Sequence, residues 1–185
     1  MLQTVEVTKN CKDLYIVKEL YENSFPENER INFDFMLTDL SSDNRAFEIT
    51  AIYDGELFVG FVVTLNSGDI SHILYFAVDE ELRSNGYGSE ILRALHKSKP
   101  GQRFIADVEK PDAKSGNNAQ REKRIRFYSR NGYKMTDVEY RWNEENYLIM
   151  SCNGDISKEE HKAFWEQRAD MLQRAADEGS SSEHT

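Results

Sequence analysis

The chain has 185 residues, of which 39% are hydrophobic and 30% charged, and its formal net charge is -10. That length suits one domain with a real core, and no apolar run approaches the ~20 residues of a membrane span. An acidic surface repels phosphate backbones, so a nucleic-acid partner is disfavoured; the charge mildly favours a cationic substrate such as an amine, although solubility alone is the stronger reason for it.

Hydrophobic periodicity sets out the elements in chain order. Met1-Leu2-Gln3-Thr4-Val5-Glu6-Val7 alternates polar and apolar residues, which predicts a strand over 2–8 and argues against a signal peptide. Residues 11–22 predict a helix with Leu14, Val17 and Tyr21 on one face, broken by Ser24-Phe25-Pro26-Glu27. A second short helix is expected over 33–40, where Phe33, Met36, Leu37 and Leu40 form one stripe. Phe47, Ile49, Ala51 and Tyr53 then alternate along a strand that ends at the hairpin signal Asp54-Gly55. Leu57 to Leu65 returns, Asn66-Ser67-Gly68-Asp69 turns again, and Ile70 to Val78 is a third strand. Its end, Ile73 to Val78, is apolar without alternation and so is expected to be buried on both faces.

A helix follows from 86 to 97, with Gly88, Ile91, Leu92 and Leu95 inward, and Lys99-Pro100-Gly101 ends it. Residues 103–109 form the next strand, with Phe104, Ala106 and Val108 on one face; the intervening helix makes it parallel to the strand ending at Val78. A polar loop over 111–118 leads to a helix over 119–131, closed by Asn131-Gly132 as a left-handed cap. Residues 133–142 and 147–152 make a last hairpin around 143–146. Ser157-Lys158-Glu159-Glu160 is a capping box opening a final helix to about 176, with Phe164, Trp165, Met171 and Leu172 on its apolar side. The division expected is a domain over 1–154, an appended helix over 155–177 and a disordered tail over 178–185. Cys11 and Cys152 are too far apart in sequence to suggest a disulfide framework or a zinc cluster, so reduced thiols and a cytoplasmic location are expected, with no metal.

The first site signal is the turn Arg83-Ser84-Asn85-Gly86-Tyr87-Gly88 between a strand and a helix. A helix start carries free N–H groups and partial positive charge, which bind anions. Gly86 and Gly88 let a diphosphate approach the backbone, and Arg83 adds charge. Residue 91 is isoleucine and the preceding strands read as antiparallel, which excludes a Rossmann fingerprint; no Gly-Lys-Ser/Thr follows, which excludes a P-loop. The second signal is Ile125-Arg126-Phe127-Tyr128-Ser129-Arg130-Asn131-Gly132-Tyr133.

Together, in this order and spacing, the two runs resemble the acetyl-CoA motifs of the GNAT superfamily of N-acetyltransferases, and the resemblance covers roughly residues 45–152. Two departures are a serine at 84, where the family often has glycine, and a glutamate at 80, where it often has proline. A third is Arg121, where many members place an asparagine on the pantetheine arm; Asn117 or Asn118 could substitute. The resemblance implies an α/β fold with a mixed, mostly antiparallel sheet of about seven strands flanked by helices, plus the extra C-terminal helix. It implies acetyl-CoA as co-substrate, bound by Phe76, Val78, Arg83, Ser84, Asn85, Gly86, Tyr87, Gly88 and Ser89, with an oxyanion donor near Val78. The acceptor implied is an amine of a small molecule or a protein, and the family allows a homodimer.

Tyr128 matches the family tyrosine that protonates the departing thiolate, the alternative being a core tyrosine. Glu109 is the favoured base, with Asp107, Glu27 and Glu29 as alternatives. His72 and His96 are read as structural, and the run Arg121, Lys123, Arg124, Arg126 and Arg130 as a solvated helix face. Two other readings of the chain stand beside the enzyme: a non-catalytic CoA-binding regulator on the same fold, and an interaction protein pairing through Phe164 and Trp165.

Overall fold

The computed structural model describes residues 2–39, 46–142, 144–169 and 172–173. Among these, β1 (Gln3–Glu6), β2 (Phe47–Asp54), β3 (Leu57–Ser67), β4 (Ile70–Val78), β5 (Arg103–Glu109), β6 (Lys134–Trp142) and β7 (Glu145–Cys152) form one sheet in the order β1-β2-β3-β4-β5-β7-β6. Every neighbouring pair is antiparallel except β4 and β5. The exception has the expected cause: α3 (Tyr87–Ser98) crosses between the two strands and returns the chain in the same direction.

The helices divide between the two faces. α1 (Leu14–Ser24) and α2 (Phe33–Asp39) bury Val17, Tyr21, Phe33, Met36 and Leu37 against Ile49, Phe61 and Val63. α3 and α4 (Asn118–Arg130) bury Ile91, Leu92, Leu95 and Tyr128 against Phe104, Ala106 and Val108 on the other face. α5 (Lys158–Glu166) covers the first face, with Ile156 and Phe164 in the same cluster as Phe61. Each such side chain contributes about 1.5–3 kcal/mol by leaving water. Among the described residues no helix is long and apolar enough to cross a membrane.

Several boundaries differ from the periodicity. β1 stops at Glu6, although the Val7 N–H still bonds the Ile49 carbonyl. α1 starts at Leu14 and runs through Ser24; the break falls at Phe25, whose extended backbone is the one a following proline imposes. α4 ends in a Schellman arrangement: Tyr133 N–H bonds the Tyr128 carbonyl, Gly132 N–H bonds that of Ser129, and Gly132 takes φ 89°. β7 begins at Glu145, two residues earlier than expected, after Glu144 at φ 67°.

The capping box at Ser157 and Glu160 forms as expected and α5 runs to Glu166; after a turn at 167–168 the described residues 169 and 172–173 are helical again, and the rest of the expected helix to about 176 lies outside the described residues. Beyond it, Gln167 accepts from Ser67 Oγ at 2.7 Å and Arg168 donates to the Asn66 carbonyl, so the helix end is tied to the β3–β4 turn. Arg103 of β5 holds its start, bonding Glu160 at 2.9 Å, the Asp155 carbonyl at 2.8 Å and Asp69 at 2.8 and 3.0 Å. The apolar side of α5 therefore closes its own core instead of waiting for a partner. Leu40, Met171 and the 178–185 tail lie outside the described residues.

Candidate active site

β4 and β5 pair only over Ile70–Ile73 and Arg103–Ala106, and beyond that point they part. At the same point β4 carries a bulge: Val63 pairs Tyr75 and Thr64 pairs Ile73, so Leu74 is an extra residue without an opposite number. Further along, the Asp79 N–H bonds the Val59 carbonyl. Antiparallel alternation then turns the main-chain groups of Val78 and Phe76 away from β3, into the gap between β4 and β5. The Val78 carbonyl meets Arg83 Nε there at 3.2 Å.

A groove of about 1850 Å³ occupies this gap and continues toward the segment between α1 and α2. One wall is β4 from Ile73 to Phe76, and the floor includes Asp107 and Glu109. Phe127 and Tyr128 close one side, and Tyr140, Trp142, Tyr147, His161 and Trp165 another. Glu27 and Glu29 stand at the far end, where among the described residues neither carboxylate has an ion-pair partner. Of the residues singled out in sequence, Phe76, Asp107, Glu109, Tyr128, Glu27 and Glu29 thus meet in one cavity.

The glycine turn lies at the other end, outside the groove lining. Ser89 and Glu90 N–H groups both return to the Gly86 carbonyl, while those of Tyr87 and Gly88 have no backbone partner among the described residues. They are free for an anion. The two glycines serve different needs. Gly86 takes φ 87° with open space around it, whereas a Cβ on Gly88 would meet Phe127 Cε2 at 3.1 Å and Phe76 Cζ at 3.7 Å. Gly88 thereby connects the turn to the Phe76–Phe127 stack at the mouth of the groove, where the ring centroids are 5.9 Å apart. Ser84 takes φ 69°, which gives its departure from glycine a physical meaning: a side chain stands where the backbone is left-handed. Arg83 is half-exposed and pairs Glu80 at 3.7 Å, Asn85 is exposed, and Tyr87 donates to Asp54 at 3.0 Å.

Tyr128 is 6% exposed, and burial pushes its phenol up to about 12, against which the nearby Arg124 charge pulls. It therefore stays protonated across the neutral range. Glu109 is fully engaged: Arg124 lies 3.2 Å from one oxygen, and Asn117 Nδ2 at 3.4 Å and Arg121 at 3.9 Å approach the other.

Arg121 corrects the reading of its helix as a solvated basic face. It is 4% exposed and joins three elements, with Nε donating to Asn117 at 2.7 Å, Nη1 to the Lys110 carbonyl at 3.0 Å and Nη1 pairing Glu145 at 3.0 Å. Asn117 is spent on that bond. Of the rest of the run, Lys123, Arg124 and Arg130 line the groove, and Arg126 pairs Glu122 on the surface. His96 sits half-buried against Phe104 and meets the Tyr133 hydroxyl at 2.9 Å, in keeping with a structural role.

Residues 45–135 match the family model of the acetyltransferase (GNAT) domain. Over those residues the chain is similar to a GNAT acetyltransferase domain. Solved structures share the fold of the chain. A Bacteroides thetaiotaomicron protein assigned to the GNAT family superposes with a TM-score of 0.74 at 20% identity, covering 90% of this chain and 95% of that one. An aminoglycoside 6'-N-acetyltransferase complexed with coenzyme A gives 0.61 at 16% identity, covering 80% and 95%. A GNAT family acetyltransferase from Elizabethkingia anophelis with acetyl-CoA bound gives 0.54 at 13% identity, covering 82% and 97%. No curated protein matches the chain in sequence.

Sequence reasoning passed over the bulge at Leu74, the aromatic wall and the partner of His72. Only His72 left a signal. It is an imidazole within a strand otherwise built to be buried, and a buried polar group requires a partner.

Proposed function

We propose that the protein is an acetyl-CoA-dependent N-acetyltransferase acting on a primary amine of a small molecule or protein. The observation that carries this reading is the parting of β4 and β5 beyond Ile73 and Ala106, with an unpaired main-chain edge on one side and Tyr128 on the other. Acetyl-CoA needs such a slot. Its pyrophosphate fits the turn from Arg83 to Ser89, where helix N–H groups are free. Its pantetheine arm is a chain of amides that can bond the edge of Phe76 and Val78 as an added strand would.

The thioester then lies near the bulge, where a main-chain N–H beside Leu74 serves as oxyanion donor, four residues before the position near Val78 that the family resemblance implied. Tyr128, neutral and facing the same cavity, supplies the proton to the departing thiolate. The acceptor enters from the opposite end, between the α1–α2 segment and the β6–β7 hairpin. Glu27 and Glu29 there, and the faces of Tyr140, Trp142 and Tyr147, suit an ammonium group. The neighbour that acetylates aminoglycosides is consistent with an amine acceptor. Two free thiols, Cys11 and Cys152, support a reducing, cytoplasmic setting.

The test is free-CoA release from acetyl-CoA over a panel of amines and amino-terminal peptides, alongside calorimetric binding of CoA. Turnover on an amine supports the reading. CoA binding without turnover on any acceptor would instead make the chain a CoA-binding regulator.

A further inference from the structure

Asp107 lies on β5, one residue past that strand's last contact with β4, and lines the groove. Behind it stands His72, fully buried, with Nε2 2.9 Å from Asp107 Oδ2. The imidazole is packed by α5, its ring 5.8 Å from Phe164 and 5.2 Å from Trp165 by centroids. Two atoms of this pair, His72 Nδ1 and Asp107 Oδ1, are buried with no hydrogen-bond partner. A neutral ring that donates from Nε2 leaves only a lone pair unmatched at Nδ1; the other tautomer would bury an unpaired N–H. Asp107 therefore fixes the tautomer of His72, and His72 fixes the orientation of Asp107.

Resting on the transferase reading, the geometry points to Asp107 as the proton acceptor for the amine, with His72 as its positioning residue. Glu109 is held differently from Asp107. Both oxygens of Glu109 face donors, two of them permanently charged guanidinium groups, so a proton arriving there must displace an ion pair. Asp107 meets the His72 imidazole at 2.9 Å and the Tyr140 hydroxyl, neither of which carries an obligatory charge, and its second oxygen, which is buried, has no hydrogen-bond partner. The other titratable and charged groups around it are Glu109 on its own strand, Tyr128 and Arg124 on α4, Tyr140 on β6, Tyr147 on β7, His161 on α5 and Glu29 across the groove. Burial raises the three phenols. The Trp165 indole donates to His161 Nε2 at 3.1 Å, which keeps that nitrogen bare, and burial first and His72 second lower that ring.

The protons balance. The bound ammonium gives one proton to the Asp107 carboxylate and becomes a nucleophile. Its lone pair attacks the thioester carbon, forming the C–N bond and moving the C=O pair onto oxygen. When that pair returns, the C–S bond breaks with its electrons on sulfur. Sulfur takes the Tyr128 proton, the second nitrogen proton restores the phenol, and Asp107 releases its proton to solvent.

The experiment has two arms. Kinetics are measured for the unaltered protein, Asp107→Asn and His72→Gln on the best amine of the panel. Asp107→Asn should lower kcat about 100-fold or more with CoA affinity retained. His72→Gln should lower kcat about tenfold, leave KM unchanged and displace the acid limb of the pH profile, since it acts only through Asp107. Because a His72 variant could fail to fold, nitrogen-15 NMR of the imidazoles in the unaltered protein is the second arm. It should report His72 as the Nε2–H tautomer with a slowly exchanging proton, lost in Asp107→Asn. Turnover by Asp107→Asn within about twofold of the unaltered rate, or an Nδ1–H His72, overturns the assignment while leaving the transferase reading intact. Absence of turnover by the unaltered protein on every amine overturns both.

Discussion

A Cβ on Gly88 would lie 3.1 Å from Phe127 Cε2, so the first turn of α3 and the ring preceding Tyr128 are in contact only because residue 88 has no side chain. This contact couples the anion turn to the mouth of the groove. Gly88→Ala gains helix propensity, worth about 0.8–1 kcal/mol, and loses a few tenths of an ångström of clearance against a movable ring. Overall stability should therefore change by less than ~1 kcal/mol. The displaced ring narrows the pantetheine entrance, and CoA affinity should fall about tenfold, a loss of ~1.4 kcal/mol. Thermal denaturation and calorimetry on one sample separate the two effects; unchanged affinity would remove the coupling.

Ser84 offers the opposite case. Its φ of 69° is left-handed, which for a residue with a Cβ costs ~1–2 kcal/mol, partly offset by the larger entropy that glycine loses on folding. Ser84→Gly should stabilise the protein by about 0.5–1 kcal/mol in urea titration, with CoA affinity preserved. Destabilisation would mean that the serine side chain makes a compensating contact.

For Tyr128→Phe, the expected result is normal CoA binding and a kcat about 100-fold lower. The phenol also makes a thermodynamic prediction. Its folded value of about 12 lies above the ~10 of an unfolded chain, so the folded state binds the proton more tightly. The corresponding stability is whole below pH ~10 and is lost as pH rises to about 12, roughly 2–3 kcal/mol in all. Tyr128→Phe should flatten that decline, without abolishing it, because burial raises Tyr21, Tyr75, Tyr133 and Tyr140 as well.

Arg121 should behave as a structural fastener. Its removal strands the Lys110 carbonyl and Asn117 and leaves Glu109 with less compensation, so Arg121→Ala should cost roughly 2–3 kcal/mol, discounted because Glu145 is half-exposed. Arg121→Lys keeps the charge but cannot reach three elements at once, and should recover less than half of the loss. A denaturant series over the three proteins measures both.

What the sequence determined by itself was local. Alternation, apolar runs and turn residues marked the strands of the meander, the 3.6-residue period marked the helix faces, and Gly86, Gly88 and the Ser157–Glu160 box marked helix starts, because these signals depend on residues within one or two turns of each other. The parallel pairing of β4 and β5 was also legible, since a crossover helix forces it. The tertiary structure alone decided the rest. The bulge at Leu74 arises from the register between two strands, which no single strand encodes. Arg121 looked like one more surface cation until α4 was laid across the ends of β5 and β7. His72 and Asp107 are 35 residues apart and became a pair only when their strands ran side by side and α5 sealed the imidazole from water. A side chain's chemistry is set by its partners and by its access to solvent, and for these residues both come from distant parts of the chain.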